Sequence, residues 1–287
     1  MTDSPAQPPF HRIGPDRPAS PVVISVPHAG RAYSAELLRL ARVPVSVLEA
    51  LEDRLVDRLV WRAVADGATA IVATAPRAEI DLNRDEREID PAMVAPPPDG
   101  DTLISTMRMR GGLGLVPARI AGAGSLWRGR MSRDELKRRL ETIHRPYHAA
   151  VAEALVKARR QFGIAVLLDC HSMPPRAHGA GGATIVFGDR FGTTMSGDLL
   201  AVAVAAARTL GFAAACNDPY AGGHLIERHG RPGDRIHALQ IEIDRAAYLD
   251  SGLRSPGQGF DGSARLIAGV AEALALAATG DAMPIAA

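Results

Sequence analysis

The chain has little cysteine, two residues in 287, and Cys170 and Cys216 stand far apart. That scarcity excludes a disulfide framework and a CxxC metal motif, and it points to reduced thiols in a cytosolic protein. An excess of charge of one sign is also missing, with 33 Lys and Arg against 32 Asp and Glu. No global field then attracts nucleic acid or an anionic membrane, and neither is an expected partner. Apolar runs such as Leu199 to Ala207 fall short of the about 18 residues a membrane span needs, so no transmembrane segment is expected. The Pro-rich N-terminus carries Asp3 early and lacks the apolar core of a secretory signal, which makes the cytoplasm the expected compartment.

What is present is an ordinary globular composition, 47% apolar and 23% charged. Residues 1–20 read as a flexible arm. With no internal repeat, heptad run or linker, residues 21–280 read as a single domain. Strands are expected at PVVISV, ATAIVAT, within 78–91, and at AVLLDCHS, GGATIVFGD and HALQIEID. Leu48, Leu51, Leu55 and Leu59 at helical spacing predict one amphipathic helix over 45–66. Residues 92–131 read as a long loop. Ser132 with Glu135 three residues on opens a helix that Pro146 kinks or divides. Further helices are expected over 194–210 and 259–278, with a Gly-containing loop at 217–234. Strands alternating with helices predict an α/β layered sheet.

Three polar groups stand where buried strands end: His28 after VVISV, His171 after AVLLDC, and Glu242 within LQIEID. Ligands bind outside such strand ends in open α/β sheets, although a lone histidine there is more often a hydrogen-bonded structural residue. A catalytic zinc site takes three ligands from His, Asp and Glu and leaves a position for water. His28 and His171 supply two. Helical geometry leaves the third open, with Glu52 in the leucine stripe slightly ahead of Asp53 at its edge.

Period two puts Gln240, Glu242 and Asp244 on one strand face, which is either solvated or a site where Glu242 serves as general base. Asn83 and the planar fork of Arg84 suit a substrate carboxylate; a surface ion pair of Arg84 with Asp81, Asp85 or Glu88 is the competing reading. Cys170 reads as core. Asp169 is read as facing the opposite side of the strand from His171, which leaves it little part in orienting that ring.

In order, SVPHAG, LEDRLVDRL, IDLNR, GLGLVP, RPYH, LLDCHSMP, GGHLIERHGRP and HALQIEI over residues 21–250 resemble the N-formylglutamate amidohydrolase (deformylase) family. The resemblance implies a mixed central sheet flanked by helices, of the phosphorylase/hydrolase type and similar to the zinc carboxypeptidases. It implies one zinc ion on His28, Asp53 and His171, favouring Asp53 over Glu52, with Glu242 as general base and Asn83 and Arg84 on the substrate carboxylate. The implied activity is hydrolysis of N-formyl-L-glutamate to formate and L-glutamate; a broader N-acyl amino acid deacylase or carboxypeptidase-like amidase is the alternative. The partner is a small-molecule N-acyl amino acid, and nothing in the sequence reports oligomeric state. His224 and His229 stand where tyrosines are common in the family.

Overall fold

The computed structural model describes residues 7–176 and 182–280. Part of the expected arm is structured: Phe10–Ile13 form the edge strand β1, while residues 1–6 lie outside the described residues. Pro9 anchors the entry to β1, its carbonyl accepting from the N–H groups of Thr74 and Ala75. The runs VVISV and TAIVA form β2 (Val22–Val26) and β3 (Thr69–Ala73), both buried at every position. β-branched runs without alternation read this way because both faces are covered.

Between these strands lie α1 (Ala35–Leu40), which the sequence reading missed, α2 (Val45–Leu48), a 3-10 turn, α3 (Val56–Leu59) and α4 (Trp61–Ala65). The single helix expected over 45–66 is therefore broken. Glu52 is extended, with ψ 145, and Leu55 is left-handed, with φ 63. Leu48, Leu51, Leu55 and Leu59 are all buried. Their spacing records which side chains face a core, and an interrupted chain satisfies it as well as a continuous ladder does.

After β3 the chain is irregular, and the strand expected within 78–91 is absent. Ala78, Ile80, Leu82 and Ile89 are buried all the same. The backbone N–H of Asp81 donates to the Leu115 carbonyl and that of Asn83 to the Asp81 side chain, so a loop and a carboxylate replace the neighbouring strand. The expected long loop holds only short pieces: β4 (Val94–Ala95), α5 (Met107–Arg110), β5 (Arg119–Ile120), β6 (Gly124–Ser125) and β7 (Met131–Ser132). Ser132 caps α6 (Arg133–Arg139), accepting from the Glu135 N–H at 3.1 Å. A π-helical turn, Leu140–His144, then precedes α7 (Arg145–Phe162). Pro146 follows directly, as the second residue of α7, so its missing N–H falls where the π-turn has already interrupted the α-helical ladder.

The remaining elements are β8 (Ala165–Met173), β9 (Ile185–Gly188), α8 (Gly197–Thr209), β10 (Ala214–Cys216), α9 (His224–His229), β11 (Ile236–Asp244) and α10 (Phe260–Thr279). Gly181 of the expected GGATIVFGD strand lies outside the described residues, and the expected loop at 217–234 contains α9. The main sheet runs β1-β3-β2-β8-β11-β9-β10. β2 and β11 flank β8 in parallel, β9 runs antiparallel to β11, and β10 parallel to β9. The architecture is a mixed α/β sheet with flanking helices.

Contacts divide the chain into two units whose segments alternate along the sequence. One comprises the segment up to His11, Pro27–Glu52 and Val72–Ala149, and its core includes Leu82, Ile89, Leu115 and Tyr147. The other comprises Arg12–Val26, Asp53–Ile71 and the chain from Ala150 on, and it carries β8 to β11. By length and composition alone α10 is apolar enough to cross a membrane. It buries Leu266, Ile267, Val270 and Leu274 and packs against α8 and α4, as a core helix does.

Candidate metal centre

On β8 and β11 the parallel register pairs Asp169 with Gln240 and His171 with Glu242. Paired residues and residues two apart share a face, so these four side chains stand together. All four are buried, which excludes the solvated-face reading of Glu242. The Gln240 amide donates to Glu242 Oε1 at 2.9 Å. Asp169 Oδ2 lies 2.8 Å from His171 Nε2. The sequence reading of Asp169 is thus overturned: it lies two residues from His171, and a period of two returns it to the same face. Cys170 takes the other face, where burial pushes its thiol well up.

The broken helix delivers Asp53. The extended Glu52 and left-handed Leu55 lift Asp53 out of any helical ladder, and a non-glycine residue at φ 63 is a conformation that needs support from its surroundings. Asp53 Oδ2 lies 2.9 Å from His171 Nδ1. Its Oδ1 accepts from Ser172 Oγ at 3.2 Å and Arg245 Nη2 at 3.3 Å. Both nitrogens of one buried imidazole therefore face carboxylates. Burial opposes charge on His171, yet Asp169, Asp53 and Glu242 overcome it and raise the ring well above its ordinary range. This is an acidic donor set that suits a cation, and a divalent ion held by these groups would take the place of the ring's proton.

His28, just past β2, is buried, and its Nε2 lies 2.7 Å from Asp81 Oδ1. Asp81 also accepts from Arg77 Nε at 2.8 Å. Burial raises the Asp81 carboxyl, but Arg77, Arg84 and His28 more than offset this and hold it well below the usual carboxylate range. Arg84 is buried too, which overturns the surface ion-pair reading. Its Nε donates to the Leu113 carbonyl at 2.9 Å and its Nη1 to the Asn83 carbonyl at 2.6 Å. Nη2 is buried without a hydrogen-bond partner among the described residues, Asp81 Oδ2 being 3.9 Å away. An unspent donor on a buried guanidinium suits an incoming carboxylate. His144, at the end of the π-helical turn, bonds the Arg84 carbonyl at 2.9 Å through Nε2.

Among the described residues, one group of His, Cys, Asp and Glu side chains fits a metal ion: His28, Asp53 and His171, all buried, with one ligand atom from each within 4.8 Å of the others. Glu52, the geometric favourite, is not in it; it accepts from the Tyr33 hydroxyl at 2.8 Å. Burial and the neighbouring Arg228, His224 and Arg231 depress His229 to about 3, which keeps that ring neutral. Reasoning from sequence missed Arg245 and Ser172 beside Asp53, and Asp81 beside His28. Counting in twos along LLDCHS marks Asp169, and nothing comparable marks the others.

A mixed α/β sheet carrying two buried histidines and a buried aspartate in one group defines an α/β protein with a candidate metal centre. The N-formylglutamate amidohydrolase family matches this chain over residues 20–249. An N-formylglutamate deformylase of Pseudomonas aeruginosa is 30% identical over 240 residues, covering 80% of this chain and 82% of that protein. One from Pseudomonas putida is 30% identical over 236 residues with the same coverage. The crystal structure of an N-formylglutamate amidohydrolase from Ralstonia eutropha superposes with a TM-score of 0.84 at 34% identity, covering 95% of this chain and 98% of that one. A gene product of Agrobacterium tumefaciens, 18% identical over 93% of this chain and 95% of its own, shares the fold with a TM-score of 0.57. The chain belongs to the N-formylglutamate amidohydrolase family.

Proposed function

We propose that this chain hydrolyses the formyl amide of N-formyl-L-glutamate to formate and L-glutamate, with one zinc ion held by His28, Asp53 and His171. The observation that carries the reading is the pairing of Glu242 with His171 across β11 and β8, which sets a buried carboxylate beside a ligand of the grouped triad. Asp81 on Nε2 of His28 and Asp169 on Nε2 of His171 orient the two rings, and Nδ1 of each would hold the ion. When bound, the ion would supply Lewis-acid activation of water and of the amide carbonyl. Glu242 accepts a proton from the attacking water and returns it to the departing amine nitrogen as the C–N bond breaks. Arg84, with its Nη2 donor unspent and with Asn83 alongside, holds a carboxylate of the amino-acid half and fixes the scissile bond. The substrate is taken from the two Pseudomonas relatives.

The test is metal content of the purified chain, measured together with formate release from N-formyl-L-glutamate and with Glu242→Gln alongside. One zinc per chain, formate release and a variant slowed by at least about 100-fold support the proposal. Zinc with hydrolysis of N-acetyl but not N-formyl amino acids redirects the substrate, and absence of metal after zinc loading sinks the mechanism.

A further inference from the structure

Gln240 lies two residues before Glu242 and is buried with no role so far in binding or chemistry. Its amide bonds in both senses. Oε1 accepts from the Gly223 N–H at 2.9 Å, and Nε2 donates to Glu242 Oε1 at 2.9 Å. The first bond fixes which end of the amide is the donor, so the second presents N–H to the carboxylate.

The turn that fixes it is itself seated on the sheet. Gly188 of β9 pairs with Gln240 in the antiparallel register. A Cβ on Gly188 would lie 2.6 Å from the Ala221 carbonyl carbon and from the Gly222 nitrogen, so the turn rests directly on backbone there. The Arg190 N–H donates to the Ala221 carbonyl at 2.7 Å, and Asn217 bridges to Asp189 through its side chain, its Oδ1 accepting from the backbone and its Nδ2 donating to the carboxylate. α9, which begins at His224 immediately after the turn, buries Leu225 and Ile226 and packs against β11.

We infer that Gln240 is a positioning residue for the reaction, transmitting the placement of the 221–223 turn to the carboxylate of Glu242. The inference rests on the proposed role of Glu242 as base. By holding Oε1, the amide leaves the carboxylate one orientation in which to take the proton of the attacking water. A base displaced by about 1 Å costs on the order of 100-fold in rate, and binding of the ground state is spared.

The experiment is a double-mutant cycle on N-formyl-L-glutamate hydrolysis by the zinc-loaded protein, with metal content measured in each variant. Gln240→Met is expected to lower kcat by about 30- to 100-fold, with KM within about twofold and zinc retained. In a Glu242→Gln background the same substitution is expected to cost less than about twofold of the residual rate, because its effect passes through Glu242. Gln240→Leu, similar in volume and without any donor, serves where the methionine variant does not fold and is expected to lose kcat likewise. Gly188→Ala, which pushes the turn away, is expected to reproduce the kcat loss with zinc retained. An undiminished kcat in Gln240→Met and Gln240→Leu, or an equal loss in both backgrounds, overturns the inference. A wild-type rate in Glu242→Gln removes the base and the inference together, whereas an inactive Glu242→Gln beside a normal Gln240→Met removes the inference alone.

Discussion

Two regions of this chain hold buried polar groups by different means. On β8 and β11 the work is done by register: Asp169, His171, Gln240 and Glu242 share a face because parallel strands align residue for residue. In the turn from Arg77 to Arg84 no strand exists, and charge does the work: Asp81 gathers Arg77, His28 and the Asn83 N–H, while backbone carbonyls hold Arg84. A strand face loses accuracy when one side chain changes length. A charge-held turn loses it when one ion changes shape or sign.

The largest expected effect tests the strand face. Glu242→Gln should lower kcat by about 100- to 10,000-fold, the range of a lost general base, with zinc retained. Glu242→Asp keeps the charge and draws it back by one methylene. If register is what sets the carboxylate, that variant should still lose about 100-fold, measured as initial rates of formate release. Full activity in the aspartate variant would mean that the face tolerates slack and that register matters less than charge. Next in size is Asp169→Asn. Its carboxylate holds His171 Nε2, so the neutral amide should weaken zinc by about 10- to 100-fold in chelator competition. Unchanged zinc affinity would leave Asp169 a structural residue.

The turn is sharpened by Arg84→Lys. Lysine keeps the charge, but a single ammonium on a flexible stem cannot hold the Leu113 and Asn83 carbonyls and still present a free donor. KM for N-formyl-L-glutamate should rise by about 10- to 100-fold, while a formamide without a carboxylate should react as it does with the parent enzyme. Equal losses on both would place Arg84 in holding the fold, not the substrate.

The same contrast explains what was legible in the sequence. VVISV, AVLLDCHS and HALQIEID declare strands because the apolar run and the period of two are local properties, and the face carrying His171 and Glu242 follows by counting. The same count places Asp169 beside His171, since a period of two returns it to that face. AEIDLN alternates just as well, yet it forms turns, because the partner for its backbone is a loop at Leu115 and its own Asp81. The leucines of 45–66 show helical spacing that spans a break at Glu52 to Leu55. No local pattern signals that break. The demand comes from His171, Ser172 and Arg245, all more than a hundred residues away in sequence, which bond to Asp53 only once the fold is made. For the same reason helical geometry leans to Glu52, whose carboxylate instead accepts from the Tyr33 hydroxyl.

The smallest expected effect sets the buried sites against a charge cluster in contact with water. Glu135, in the first turn of α6, accepts from Arg138 and Arg139, and these bonds, with burial opposing, lower its carboxyl from its ordinary 4.5 to about 2. A depressed pKa in the folded state means that the stabilisation is complete above about 4.5 and fades as pH falls toward about 2, where the folded-state group also takes its proton. Glu135 keeps some contact with water and its partner Arg138 is half-exposed, so the cluster is screened and the contribution is small, under about 1 kcal/mol. Glu135→Gln should therefore lower Tm slightly at neutral pH, and the gap to the parent should close as pH falls through that window. A gap that stays constant with pH would show that Glu135 acts through packing and the capping of α6 and not through charge. The contrast with the buried groups lies in that size: a partly exposed carboxylate with two arginines moves the stability of one helix end, whereas a neutral amide on the strand face is expected to set a rate.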